Sequence, residues 1–212
     1  QARMWRMREA GQGLITSVRG PLKAATFVED AAVAPEKLPE YIKRFQEIVS
    51  SNNTEPAYYG HASVGCLHIR PVLNLKDPKD RTRMRRITED ITDLILDFGG
   101  SLSGEHGDGL ARSEWNRKMF GDVLYNAFCQ NKDAFDPHHL FNPGKIVHAP
   151  PMTENLRADN HRGNEPATLF DYSKQEGFTR SVELCNGAGV CRKLQGGTMC
   201  PSYRATRDEK DN

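Results

Sequence analysis

No stretch of this chain stays apolar for long. The longest such run, around Ile91 to Phe98, is broken by acids and falls far short of the roughly 20 residues that a membrane-crossing helix needs, so no bilayer-spanning segment is expected. An excess of charge is missing too: 29 Lys and Arg stand against 28 Asp and Glu, for a net charge of +1. That balance gives no general attraction to nucleic acid or to an anionic membrane. The five cysteines are not spread evenly, since Cys185, Cys191 and Cys200 crowd near the C-terminus. Such clustering argues against a disulfide framework and for a metal or cluster site in a reducing compartment. Cys66 and Cys129 lie among apolar residues and are expected in the core. The first residues, "QARMWRMREAG", contain neither an initiator Met nor the apolar centre of a signal peptide and read as an interrupted helix, so the chain is expected to be a piece of a longer protein. No internal repeat is visible.

What is present is periodicity. "AATFVEDAAV" (24–33) reads as a strand and its exit, and the segment after Pro35 as a helix with Leu38, Tyr41, Ile42, Phe45, Ile48 and Val49 on one face. "EPAYYGHASVGCLHIRPVL" (55–73) reads as extended, with bends at Gly60 and Gly65 and with Val64, Cys66, His68 and Arg70 on one side. A long helix follows, carrying Met84, Ile87, Ile91, Leu94, Ile95 and Phe98 at helical spacing and stopping at Gly99-Gly100. A short strand "SLSG" and a helix over 121–131, with Val123, Leu124, Ala127 and Phe128 inward, complete the pattern. This order predicts an α+β fold, a small antiparallel sheet covered by helices. The expected boundaries are a domain over 1–149, a polar linker over 150–177 and a Cys-rich region over 178–212.

The chemistry concentrates in two places. His61 and His68 sit an odd number of residues apart, which in a straight strand points them to opposite faces, so a bend near Gly65 is needed to bring them together. Taken by themselves they read as two unrelated polar histidines. In "GEHGDGLARSEW" Glu105 and His106 stand side by side between Gly104 and Gly107, and only a strand end or turn lets adjacent side chains serve one pocket. Two imidazoles and a carboxylate make a three-ligand set that leaves positions open on Zn²⁺, Mn²⁺ or Fe²⁺ for water or substrate.

Four segments in this order, "FVEDAAVAPEKLPEY", "GHASVGCLHIRP", "SGEHGDGLARSEW" and "AFDPHHLFNPGKI", resemble the C-terminal catalytic half of the FAD-linked oxidases, the family that includes D-lactate and D-2-hydroxyglutarate dehydrogenases. The resemblance covers about residues 4 to 147. It implies a ferredoxin-like cap, a divalent metal held by His61, His68 and Glu105, and His106 as the general base that takes the proton from a small 2-hydroxy acid substrate. Arg8 matches an arginine that binds the substrate carboxylate, with a solvated helix charge beside Arg3 and Arg6 as the alternative. Lys23 is a second substrate-binding candidate, and Asn142 matches a flavin-contacting position that is equally a turn residue before Pro143. By the same resemblance FAD is bound mainly by a half outside this chain, which is expected to be inactive alone. The partner is a quinone or electron-carrier protein, and the location cytoplasmic or peripheral to the inner membrane.

The tail "CNGAGVCRKLQGGTMCP" is similar to the start of the iron-sulfur region of long, fused members of this family. Cys185 and Cys191 fit the first and third places of a C-x₂-C-x₂-C-x₃-C-P run and Cys200-Pro201 its end, but Ala188 occupies the second. A [4Fe-4S] cluster needs about four thiolates, so a full set is expected only in the longer protein. Two rivals stand beside this reading. One is a non-catalytic zinc-binding or interaction module, and the other an aryl-alcohol or sugar oxidase, which has no need of the His61, His68 and Glu105 set.

Overall fold

The computed structural model describes residues 2–16, 18, 20–160, 165–185, 189–196 and 200–211. They fall into two compact units, Val18–Gly163 and a second made of Gln1–Ser17 with Asn164–Asn212.

The larger unit is built around one strand. β4 (Cys66–Leu73) pairs antiparallel with β1 (Lys23–Ala24), β2 (Ala31–Ala32) and β3 (Pro56–His61). Alternation along β4 divides its labour: Ile69 and Leu73 enter the hydrophobic core while Cys66, His68 and Arg70 are buried on the other face. Two helices cover the core side. α2 (Leu38–Ser51) buries Leu38, Tyr41, Phe45 and Val49 at three- and four-residue spacing. α3 (Pro78–Phe98) starts at Asp77, whose carboxylate accepts from the Lys79 N–H, and buries Met84, Ile87, Ile91, Leu94 and Ile95. It stops at Gly99, which takes the left-handed conformation (φ 65°) and donates its N–H to the Ile95 and Leu96 carbonyls. Tyr41 joins the two helices, meeting Phe45 and Phe98 edge to face at 5.8 and 5.6 Å.

The α+β architecture is the expected one, and both long helices fall where periodicity put them. Several local readings need correction. Residues 24–33 are not one strand: the chain pairs with β4 in strand form only at Lys23–Ala24 and Ala31–Ala32, and turns between them through Glu29 and Asp30. Ser101 makes a single bridge to Ala32 rather than a strand. Val64 leaves the face of Cys66, His68 and Arg70, because it lies in a short 3₁₀ turn and is 67% exposed. Gly60 does not bend the chain; it lies inside β3, where a Cβ would meet the Cys66 carbonyl and Leu67 Cα at 2.8 Å. The helix expected over 121–131 belongs to a longer α5 (Asn116–Phe135), preceded by a single turn α4 (Gly109–Arg112) and bent at Gly121 (φ 74°). Beyond that bend Tyr125 is buried, while Val123 and Leu124 are 85% and 51% exposed. Cys66 is buried as expected, but Cys129, also on α5, is only half-buried.

Past Pro150 the chain keeps contact with this unit, since Met152 is buried and its N–H donates to Glu114 Oε2 at 2.7 Å. In the smaller unit, α1 (Ala2–Thr16) runs without the expected interruption. There α6 (Phe178–Val182) and α7 (Pro201–Thr206) are short, and the Glu165 carboxylate accepts the N–H groups of Phe178 and Thr179 at the start of α6. Among the described residues no helix is long and apolar enough to cross a membrane.

Candidate active site

The two histidines meet because residues 56–73 form a hairpin, not a bent strand. A 3₁₀ turn at Ala62–Val64 and Gly65 (φ 75°) reverse the chain, and the register sets His61 against Cys66 and Tyr59 against His68. Opposed residues of an antiparallel pair share a face. The reversal therefore places His61, Cys66 and His68 together despite the odd spacing. Gly65 is required there, because a Cβ would lie 1.7 Å from the Val33 carbonyl oxygen.

Glu105 and His106 arrive from a turn, as their glycine neighbours permit. Gly104 donates its N–H to the Asp30 carbonyl at 2.7 Å and packs so close to Asp30, Ala32 and Cys66 that a Cβ would meet each at 3.0 to 3.1 Å. The result is a single focus: Glu105 Oε1 lies 3.3 Å from His61 Nε2, 3.0 Å from His68 Nε2 and 3.3 Å from His106 Nε2. The His68 ring is fixed from both sides, stacked on His106 at 4.7 Å and on Tyr59 at 5.7 Å. Its Nδ1 sits 3.0 Å from the Glu29 carbonyl oxygen, which calls for a proton on Nδ1 and leaves the Nε2 lone pair for a ligand. His68 is buried while His61, Glu105 and His106 are partly exposed, so the focus opens to solvent. It borders an open cleft of about 450 Å³ that Leu102, Ser103, Gly107, Met119 and Phe120 help to line.

Two other acids crowd this centre, Asp30 and Glu29. Asp30, fully buried, accepts from the Ser103 hydroxyl at 2.8 Å, the His106 N–H at 2.9 Å and the Glu105 N–H at 3.1 Å. Burial opposes its charge, but the His106 N–H, the Ser103 hydroxyl, the Glu105 N–H and the Arg112 guanidinium outweigh that and hold its carboxyl below the ordinary value. Glu29 accepts from Arg70 Nε through Oε2, and its Oε1 lies 3.6 Å from His106 Nδ1. Cys66 Sγ is 3.9 Å from Asp30 Oδ1, and burial, together with the Asp30 and Glu105 charges, pushes its thiol up to about 11. With no cation beside it such a thiol is protonated at neutral pH, and a cation bound there would favour the thiolate. Two sets of ligand atoms among the described residues lie within 4.8 Å of one another, those of Asp30, Cys66, His68 and Glu105 and those of Glu29, His68 and His106, and His61 Nε2 approaches the same Glu105 oxygen at 3.3 Å.

Of the remaining candidates, Lys23 and Asn142 belong to the larger unit and the others to the smaller one. Lys23 pairs with Leu73, five residues along β4 from His68 or roughly 16 Å at 3.3 Å per residue, and its Nζ donates to the Val18 carbonyl. Asn142 is exposed in the loop after α5 with φ 48°, a left-handed conformation that asparagine tolerates. Arg8 lies on α1, in the other unit. Cys185 is exposed and Cys191 and Cys200 are half-buried; among the described residues none belongs to a cluster of three or more ligand groups, and Ala188 lies outside the described residues. The sequence reading gave no role to Glu29, Asp30, Arg70, Arg112 or Tyr59. The one signal for the first two was a pair of adjacent acids closing an apolar run, "FVED".

A family model for the C-terminal domain of FAD-linked oxidases matches residues 1–146. This chain belongs to the FAD-linked oxidases. Among relatives, a D-2-hydroxyglutarate dehydrogenase of Pseudomonas putida is 38% identical over 212 residues, 98% of this chain and 21% of that protein. One of the same name from Escherichia coli is 35% identical over 218 residues, covering 97% of this chain and 20% of that protein. A D-lactate dehydrogenase of Archaeoglobus fulgidus is 32% identical over 141 residues, 64% of this chain and 31% of that protein. The chain thus spans about a fifth of the length of the two D-2-hydroxyglutarate dehydrogenases. In this FAD-linked oxidase chain the matched region contains all four groups of the focus.

Proposed function

We propose that the whole protein is an FAD-dependent dehydrogenase that oxidises a D-2-hydroxy acid to the 2-oxo acid, and that this chain contributes its metal site and its base. The observation that carries the reading is the approach of three imidazole Nε2 atoms to one carboxylate oxygen, Glu105 Oε1, at 3.0 to 3.3 Å. D-2-hydroxyglutarate is favoured over D-lactate as substrate, because relatives named for it match 97 to 98% of this chain, tail included, against 64% for the D-lactate dehydrogenase.

His61, His68 and Glu105 suit Zn²⁺, Mn²⁺ or Fe²⁺, since two imidazoles and a carboxylate leave positions for a substrate hydroxyl and carboxylate. Such an ion supplies Lewis acidity that lowers the hydroxyl pKa. His106 stands beside the ligands, within reach of a hydroxyl held there, and takes its proton on Nε2. Its Nδ1 faces Glu29 and Asp30 at 3.6 and 3.7 Å, which favours a proton there and a free Nε2. When bound by the rest of the whole protein, FAD would supply the acceptor for the hydride from C2, the hydroxyl proton going to His106. In the finer reading Arg8 and Lys23 help to bind the substrate, Asn142 touches the flavin, and Cys185, Cys191 and Cys200 contribute to a [4Fe-4S] cluster that passes electrons to a quinone or carrier protein.

The test has two arms. Elemental analysis of the purified chain is expected to find about one equivalent of divalent metal that the change His68→Ala removes; unchanged metal content in that variant overturns the ligand set. Whole protein assayed with D- and L-2-hydroxy acids by dye reduction is expected to turn over the D-enantiomer only, and activity that survives His106→Asn undiminished overturns the base.

A further inference from the structure

We infer that the adjacent acids Glu29 and Asp30 are the positioning device of this site, holding two metal ligands and the base in register from a single turn. The inference rests on the metal reading above and adds residues that no relative's name assigns. From Asp30, the main-chain carbonyl takes the Gly104 N–H at 2.7 Å and the carboxylate takes the Ser103 hydroxyl and the N–H groups of Glu105 and His106. Four consecutive residues, 103–106, are thus tied to one buried side chain and its own peptide. The next residue back, Glu29, reaches the other half of the site: its carbonyl faces His68 Nδ1 at 3.0 Å and its carboxylate faces His106 Nδ1 at 3.6 Å while accepting from Arg70.

The geometry gives Asp30 a role other than that of a ligand. Every close Asp30 contact is with a donor, and Arg112 stands 3.9 Å from Oδ2, so a cation seated on Asp30 would displace the bonds that shape the 103–106 turn. Instead the pair acts through its neighbours. Asp30 sets the backbone from which Glu105 projects, and the Glu29 carbonyl sets the ring orientation from which His68 Nε2 projects. Adjacent residues accomplish both because the chain at 29–30 is a turn, which lets one residue face the 103–106 loop with its side chain and the other face β4 with its carbonyl.

A role in positioning is separable from a role in folding alone. The full chain, stripped of metal, is titrated with Zn²⁺ against a chromophoric chelator, and the metal-free chains are unfolded in urea. His68→Ala and Asp30→Asn are compared with wild type, with Ser103→Ala as the milder deletion of one Asp30 donor. Zn²⁺ affinity of folded Asp30→Asn is expected to fall about 10- to 100-fold, the usual effect of losing an outer-shell partner. Ser103→Ala is expected to lose about 3-fold, on the order of one weakened bond in that shell. Should Asp30→Asn not fold, the Ser103→Ala titration decides, and affinity equal to wild type there overturns the inference. So does folded Asp30→Asn that keeps wild-type affinity while losing stability. A wild-type chain that binds no Zn²⁺ sinks the metal reading itself. Wild type that binds, with binding lost in His68→Ala and unchanged in Asp30→Asn, sinks only the positioning role.

Discussion

Replacing Gly65 by alanine should break the hairpin that brings His61 and His68 together. Two costs add. Gly65 has φ 75°, where an L-residue pays about 1 to 2 kcal/mol that glycine does not. Its new Cβ would also fall 1.7 Å from the Val33 carbonyl oxygen, an overlap that only backbone movement relieves. The movement pulls on the Val33 N–H to Gly65 carbonyl bond, 3.1 Å long, worth about 1 kcal/mol. The sum is about 2 to 3 kcal/mol. Gly99 provides the control, because it has φ 65° with nothing within 4 Å of a built Cβ, so Gly99→Ala should cost only the conformational part, about 1 to 2 kcal/mol. Urea unfolding followed by far-ultraviolet circular dichroism measures both. Gly65→Ala should also weaken Zn²⁺ binding, whereas Gly99→Ala should not. Equal destabilisation by the two variants, with equal metal affinity, would refute the claim that close contact between Gly65 and Val33 sets the histidine geometry.

Two further outcomes follow from the same structure. Asp136 accepts from Lys132 Nζ and from the Leu140 and Phe141 N–H groups, and the lysine bond, opposed by burial and helped by the two N–H groups, holds its carboxyl down at about 2. A folded value below the unfolded one, near 3.8, gives stability that is present above about pH 4 and lost as pH falls toward 2, so Asp136→Asn should destabilise at neutral pH and flatten acid unfolding over that window; an unchanged acid transition contradicts it. Ile91 is 0% exposed under the sheet, so Ile91→Ala should lower unfolding free energy by about 2 to 5 kcal/mol, and a loss under 1 kcal/mol would mean the site collapses around the cavity.

The helices were legible because their signal is local. Six apolar positions between Met84 and Phe98 at helical spacing, closed by a double glycine, have one solution, and α3 adopts it. The identities of His61, His68, Glu105 and His106 were legible as residue types suited to a metal and a base. Their convergence was not, because parity along a strand says nothing of a hairpin's register: the reversal at Ala62–Gly65 changes which residues share a face. The segment at 24–33 was misread for a related reason. Its apolar residues pack into the core as a strand's would, Phe27 and Val28 at 3% and 0% exposure, while the chain between them and Ala31 turns to deliver two carboxylates to a loop some 75 residues later. Likewise α5 keeps its helical pattern, but no periodicity records the bend at Gly121 or which face the unit covers.

The charges buried beside the focus are costly for a small sheet. Glu29 and Arg70 are 7% and 6% exposed, and Asp30 has no exposure at all. Removing ions from water costs several kcal/mol each after relaxation, and a buried pair often contributes less to stability than apolar residues of the same shape. Core packing on the opposite face of β4, where Ile69 and Leu73 are 1% exposed, gains nothing from those charges. Their contacts explain the placement better than stability does. Arg70 occupies one Glu29 oxygen and turns the other toward His106, and the Asp30 carboxylate is consumed by the turn that presents Glu105 and His106. β4 is therefore a strand with two duties on two faces, apolar where it holds the fold together and charged where it fixes the geometry of an open, three-histidine site.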